Sequence, residues 1–265
     1  MENKYYESLF ENNKEWIKKE LKEDPEYFRM CLESLKTVSS NVVNLNKIFV
    51  IIDGSDSSDK YMVDLFYNVF DNSTKKIFHL QLLESSSPDE VLTLNMLDIQ
   101  NNDIICISQP HGGKRCAMMT GFRITLLENV LFNTDVDTIF CTDSDTVLTP
   151  ECITSMYSHF ENDNIGAVAG NLGIYNKYDS VVSFMSSIRY WYAFNIERAY
   201  QSFTGSVLCV SGPIGMYRIT DLEKIIDNKM TCTNKKPPPI RRWLKIAMKK
   251  IVGKNNLHIK CRKSI

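Results

Sequence analysis

The sequence predicts an α/β domain, a mostly parallel sheet with helices on both faces, followed by a basic C-terminal tail. Three observations carry this prediction. Short apolar runs alternate with stretches of helical periodicity, the 265 residues suffice for one domain with a sizeable core, and charge divides sharply between body and tail. With 43% hydrophobic and 24% charged residues, the composition is that of an ordinary soluble globular protein.

Residues 1–22 read as a polar helical extension, and 23–228 as the main domain. The opening "MENKYYESLFENNKEW" is too polar for a secretory leader, and no run approaches the roughly 18 apolar residues that span a bilayer. A cytoplasmic location is expected, with at most peripheral contact at the cytoplasmic face of a membrane. The eight cysteines are scattered without a C-x-x-C pair, so buried free thiols are expected rather than disulfides or zinc. No nucleic-acid partner is expected.

The strand-like runs come in order. "KIFVII" (47–52) ends at Asp53-Gly54, and Met62, Leu65, Phe66, Val69 and Phe70 then fall at helical spacing. "DIICIS" (103–108) ends at Gln109-Pro110 before a helix carrying Ala117, Met118, Phe122, Leu126 and Leu127. "DTIFCT" (137–142) runs into Asp143-Ser144-Asp145, after which Thr149, Pro150 and Glu151 form a helix start. "IGAVAG" (165–170) and 207–210 read as further strands. Tyr178 to Gln201 reads as one helix whose stripe of Val181, Phe184, Met185, Ile188, Trp191, Tyr192 and Ile196 is expected to pack in the core.

In a parallel sheet, ligands bind at the carboxyl ends of the strands. Asp53, the 109–115 loop and Asp143/Asp145 all lie at such ends. Asp143 and Asp145 offer two hard oxygen ligands to Mg²⁺ or Mn²⁺, which can hold a diphosphate; capping of a turn is the other reading. In "QPHGGKR" two glycines allow close backbone approach, and Lys114 and Arg115 open a helix where an anion is favoured; a solvated turn is the alternative. His111 reads as a loop residue. Asp53 could accept the N–H of a base such as uracil, or simply begin an Asp-Gly turn. "CVSGPIGMYR" (209–218) reads as a tight loop with little side chain, and its Cys209 as a small buried hydrophobe.

Together "EDPEYFRMCLESL", "VIIDGSD", "GGKR", "CTDSDTVL", the 176–202 segment "NKYDSVVSFMSSIRYW…" and "SGPIGMYR" resemble the class I hyaluronan synthases, especially the animal ones, among the family-2 processive β-glycosyltransferases. The resemblance runs from about Glu23 to Arg218. It implies a GT-A fold and transfer from UDP-GlcNAc and UDP-glucuronic acid with inversion at the anomeric carbon. By residue it implies that Asp53 contacts the uridine, that Lys114 and Arg115 bind donor beside the diphosphate, and that Asp143 and Asp145 hold Mg²⁺ or Mn²⁺. It places Ser211, Gly212 and Pro213 near the acceptor sugar. The family's acidic general-base motif does not follow Arg218, and Pro239 stands where its Gln-x-x-Arg-Trp has glutamine. The alternative expectation is therefore an inactive UDP-sugar-binding or synthase-interacting domain without base or channel.

From Lys229 onward there are twelve Lys/Arg and no Asp/Glu, leaving the body nineteen bases against thirty-two acids. Within this 229–265 tail, "IRRWLKIAMKKIV" (240–252) sets Ile240, Trp243, Leu244, Ala247 and Ile251 on one helical face and bases mostly opposite. That pattern suits an anionic membrane surface.

Overall fold

The structure is a computed structural model describing residues 24–42, 45–54, 60–71, 75–82, 91–92, 95–210 and 212–229. The extension expected over 1–22, Ser211 and the tail beyond Lys229, with its 240–252 segment, lie outside the described residues.

The first helix, α1 (Pro25–Asn41), is one that the sequence reading did not assign. Its start has simple causes: the Asp24 side chain accepts from the Glu26 N–H at 2.8 Å, and Pro25 presets φ in the first turn. Three parallel strands follow, β1 (Ile48–Asp53), β2 (Ile77–Gln81) and β3 (Ile104–Gln109), in the order β1-β3-β2. Between them lie α2 (Lys60–Phe70) and α3 (Met96–Gln100), and α4 (Lys114–Phe132) comes after β3.

All six residues of central β3 are buried, which explains its unbroken apolar run. Ile104 and Cys106 belong to a cluster with Phe28 and Leu32 of α1 and Phe66 and Phe70 of α2. Ile105 and Ile107 pack with Met96 and Ile99 of α3 and Ile124 and Leu127 of α4. Helices thus cover both faces, as the alternating pattern predicts.

The second half is antiparallel. It comprises β4 (Thr138–Thr142), α5 (Cys152–Tyr157), β5 (Ala167–Ala169), β6 (Ile214–Arg218) and α8 (Ile219–Lys229), with sheet order β4-β6-β5. Because Thr142 pairs with Ile214 and Thr138 with Arg218, β6 starts beside the carboxyl end of β4 and leaves toward its other end. Phe140, Val168 and Met216 pack against Val38 of α1 and Ile153 and Met156 of α5. Ile139, Cys141 and Tyr217 pack against Met119 and Phe122 of α4 and Leu222 and Ile226 of α8.

Three expectations are corrected. Residues 207–210 form no strand: Leu208 is 84% exposed, and the strand lies downstream in β6, inside the stretch read as a loop. Cys209 is exposed rather than buried. The 178–201 segment is helical, as α6 (Val181–Tyr192), a π-helical turn (Ala193–Glu197) and α7 (Arg198–Phe203), but none of its residues is buried. Its half-buried positions include Ser183, Ser186, Ser187, Ala193 and Phe194, whereas all seven residues of the predicted stripe are exposed. Both sheets carry packed layers on their two faces, and among the described residues the stripe is not part of either. Among the described residues, no helix is long and apolar enough to cross a membrane.

Candidate functional site

The carboxyl ends of β1, β3 and β4 meet around one point. Asp53 ends β1 in register with Gln109 at the end of β3, and the Gly54 N–H closes the junction on the Gln109 carbonyl at 2.9 Å. The nearly buried Asp53 carboxylate then gathers the 109–113 loop. It accepts from Gln109 Nε2 at 2.7 Å, from the Gly112 N–H at 3.0 Å and from the Gly113 N–H at 2.6 Å, and His111 Nδ1 lies 3.1 Å away. Gln109, itself buried, is held in turn by the Thr120 hydroxyl at 2.7 Å.

The two glycines serve this loop in different ways. Gly113, which opens α4, has φ of 85°, a conformation that strains other residues. A side chain at Gly112 would bring its Cβ within 2.8 Å of Cys116 Cβ. The loop is thus folded tightly on Asp53, and it delivers Lys114 and Arg115 as the first residues of α4.

Lys114 crosses to the second half of the domain. Its Nζ lies 2.5 Å from Asp143 Oδ1, in a pair whose carboxylate is 24% exposed. The third motif sits beneath it: a Cβ at Gly212 would lie 3.0 Å from Lys114 Nζ and 3.4 Å from its Cε. Neighbouring Pro213 accepts the Asp143 N–H at 3.2 Å. The structure therefore brings Asp53, Lys114, Asp143, Gly212 and Pro213 into one connected arrangement, with Arg115 and Asp145 exposed at its edge.

The 143–148 turn is also braced by α1, which sequence reasoning missed. Cys31 donates its S–H to the Asp143 carbonyl at 3.5 Å, and Ser34 Oγ accepts the Leu148 N–H at 3.1 Å. The signal was present: Asp-Pro-Glu at 24–26 is a helix-start pattern. The half-buried Cys141 thiol is pushed up to about 12, chiefly by burial and further by the Asp143 charge, so it is no nucleophile at neutral pH.

Asp143 spends its side chain on Lys114 rather than on capping its own turn, and Asp145 stands free of deep burial. Among the described residues no group of three or more His, Cys, Asp or Glu could hold a metal. Two hard carboxylates without a third protein ligand fit Mg²⁺ or Mn²⁺, whose remaining positions go to waters and substrate phosphates.

The α/β architecture, with a parallel sheet flanked by helices and its strand ends gathered at this arrangement, is that of a GT-A-like glycosyltransferase domain. Residues 119–260, more than half of the chain, match the chitin synthase family, to which the chain belongs. Within family-2 glycosyltransferases it is hyaluronan-synthase-like. It is 40% identical over 216 residues to hyaluronan synthase 2 of Rattus norvegicus and 38% identical over 216 residues to hyaluronan synthase 3 of Homo sapiens. Hyaluronan synthase 3 of Xenopus laevis is 38% identical over 210 residues. Each alignment covers 78% of this chain, which spans 36–37% of the length of those relatives.

Proposed function

We propose that this domain binds UDP-sugars, UDP-GlcNAc and UDP-glucuronic acid, for inverting transfer of the hyaluronan-synthase type. The observation that carries the reading is the contact of Lys114 with Asp143 over Gly212, which gathers three sequence motifs at the strand ends. In this proposal Asp53 meets the uridine at the crevice rim while holding the 109–113 loop. Lys114 and Arg115, at a helix start where backbone amides already favour an anion, take the diphosphate. Asp143 and Asp145 hold Mg²⁺ or Mn²⁺, which neutralises charge developing on the leaving phosphate. Ser211, Gly212 and Pro213 border the acceptor sugar, where little side chain intrudes.

A second reading, a domain that binds UDP-sugar or a synthase partner without catalysing transfer, is favoured by the direction of β6. The strand carries the chain away from Asp143, so that Asp221 in α8 lies beside Gly166 and pairs with Lys224 at 2.8 Å, far from the crevice. Asp221 is therefore not placed as a base, and catalysis without one is typically about 10²–10⁴-fold slower.

Calorimetric titration of UDP with and without Mn²⁺ tests the donor site. Metal-dependent binding by the chain, abolished in Asp143→Asn, is expected; no binding by either protein refutes the reading. Turnover of the two UDP-sugars then separates transferase from binder. The basic 240–252 segment is proposed to rest on an anionic membrane surface at its cytoplasmic face. Undiminished vesicle co-sedimentation by a chain ending at Asn228 refutes that part.

A further inference from the structure

The contact between Lys114 and Asp143 has a consequence for the order in which the site fills. We infer that Lys114 is the resident counter-ion of Asp143, and that metal and nucleotide bind as a coupled pair because the diphosphate must draw this ammonium away before the carboxylate is free for a divalent ion. The inference rests on the donor-site reading above and adds a regulatory step to it.

The geometry makes Lys114 a placed cation rather than a wandering surface base. Asp53 folds the loop through the Gln109 side chain and the Gly112 and Gly113 amides, which sets the first residue of α4. From there the lysine stem reaches across to Asp143 Oδ1 at 2.5 Å. Its path is kept open by Gly212, where even a methyl group would press on Nζ at 3.0 Å. The Pro213 carbonyl accepts the Asp143 N–H and holds that backbone in place.

Charge then dictates the sequence of events. With Lys114 on Asp143 the pair is neutral, and only exposed Asp145 remains to attract a divalent ion. A metal arriving alone meets one carboxylate and an adjacent ammonium that repels it. A diphosphate offers the ammonium better-matched oxygens. The lysine side chain is flexible and 56% exposed, so it can make the transfer with little cost to packing. As Lys114 leaves, Asp143 becomes a ligand, and the metal and phosphate favour each other reciprocally.

The test is a substitution whose effects on the two ligands have opposite signs. Free Mn²⁺ is followed by electron paramagnetic resonance without nucleotide, and UDP binding by calorimetry in Mn²⁺. Lys114→Met is expected to tighten nucleotide-free Mn²⁺ binding by about tenfold, within the usual range of site-to-site coupling, while weakening UDP binding by a similar factor. Gly212→Ala keeps the charge but displaces it, and is expected to tighten Mn²⁺ binding in the same direction by a smaller factor. It carries the test by itself if Lys114→Met does not fold, as judged by circular dichroism.

Mn²⁺ affinity unchanged or weakened in both variants overturns the inference and leaves Lys114 as a phosphate ligand only. Unmodified protein that binds Mn²⁺ equally well with and without UDP overturns it as well. Failure of the donor-site reading is distinguishable: the unmodified chain then binds no UDP, whereas the Mn²⁺ shift on substitution still decides whether Lys114 guards Asp143.

Discussion

The crevice and the 175–208 excursion both carry runs of apolar residues at regular spacing and end in opposite states. At the central strand of the crevice the motif is backed by a buried layer: Ile107 before the Gln109 loop is fully buried, as are Ile105 and Cys106. In the excursion Val181 is 79% exposed, Trp191 59% and Phe203 89%. The difference teaches that helical spacing of apolar residues identifies a face but not its partner. An apolar stripe becomes core only when another apolar surface is free to meet it.

The largest effect expected from this comparison lies under the crevice. Ile107→Ala removes a fully buried side chain between the sheet and α4, a change that costs roughly 2–5 kcal/mol through lost transfer energy and the cavity left behind. Urea denaturation followed by circular dichroism should show that loss, and a midpoint unchanged from the parent protein would break the comparison at its strongest point. The same region also contains a buried charge. Lys47 donates to the carbonyls of Ile99, Gln100 and Asn102, closing the end of α3, and lies 3.5 Å from Glu128 Oε1. That oxygen has no hydrogen-bond partner, and burial, partly offset by Lys47, pushes the Glu128 carboxyl up to about 7.

The sign of the pH effect follows from this raised value. The folded state holds the Glu128 proton more tightly than the unfolded chain does, so its contribution is complete below about pH 4.5 and is lost as pH rises through about 7. The loss is at most roughly 3–4 kcal/mol, taking 1.36 kcal/mol per pH unit over the span from 4.5 to about 7. Glu128→Gln should flatten the fall in stability between pH 4.5 and 7.5. Urea midpoints measured across that window check it, and a variant with the parent's slope refutes the assignment.

These two regions also show what the sequence made legible. β1, β3 and β4 were readable because each is a short run rich in apolar residues that ends in a polar residue that punctuates it, although only β3 is buried throughout. α4 was readable from its spacing. β2 was missed because Phe78 and Leu80 alternate with His79 and Gln81 on an edge strand with a single buried residue. β6 was hidden by Gly212, Pro213 and Gly215, which read as a turn; its strand character comes from pairing with β4 and β5, a tertiary effect. For the site, the motif residues could be named, but their relations could not. That Asp53 grips the 109–113 loop and that Gly212 makes room for Lys114 depend on contacts across 59 and 98 positions of chain, which local pattern does not encode.

The smallest expected effect is the sharpest test of the contrast. Trp191 sits in the middle of the stripe that spacing assigns to the core, and a buried Trp replaced by Ala costs roughly 3–5 kcal/mol. Here the ring is 59% exposed and its neighbours Ile188 and Tyr192 are 48% exposed, so Trp191→Ala should move the urea midpoint by no more than about 0.5 kcal/mol equivalent. Far-ultraviolet circular dichroism is the suitable probe, because the substitution removes a fluorophore. A loss of several kcal/mol would mean that the stripe is packed in solution and that the two regions are not different after all. A negligible loss accompanied by weaker binding of an apolar dye would show that the stripe is surface.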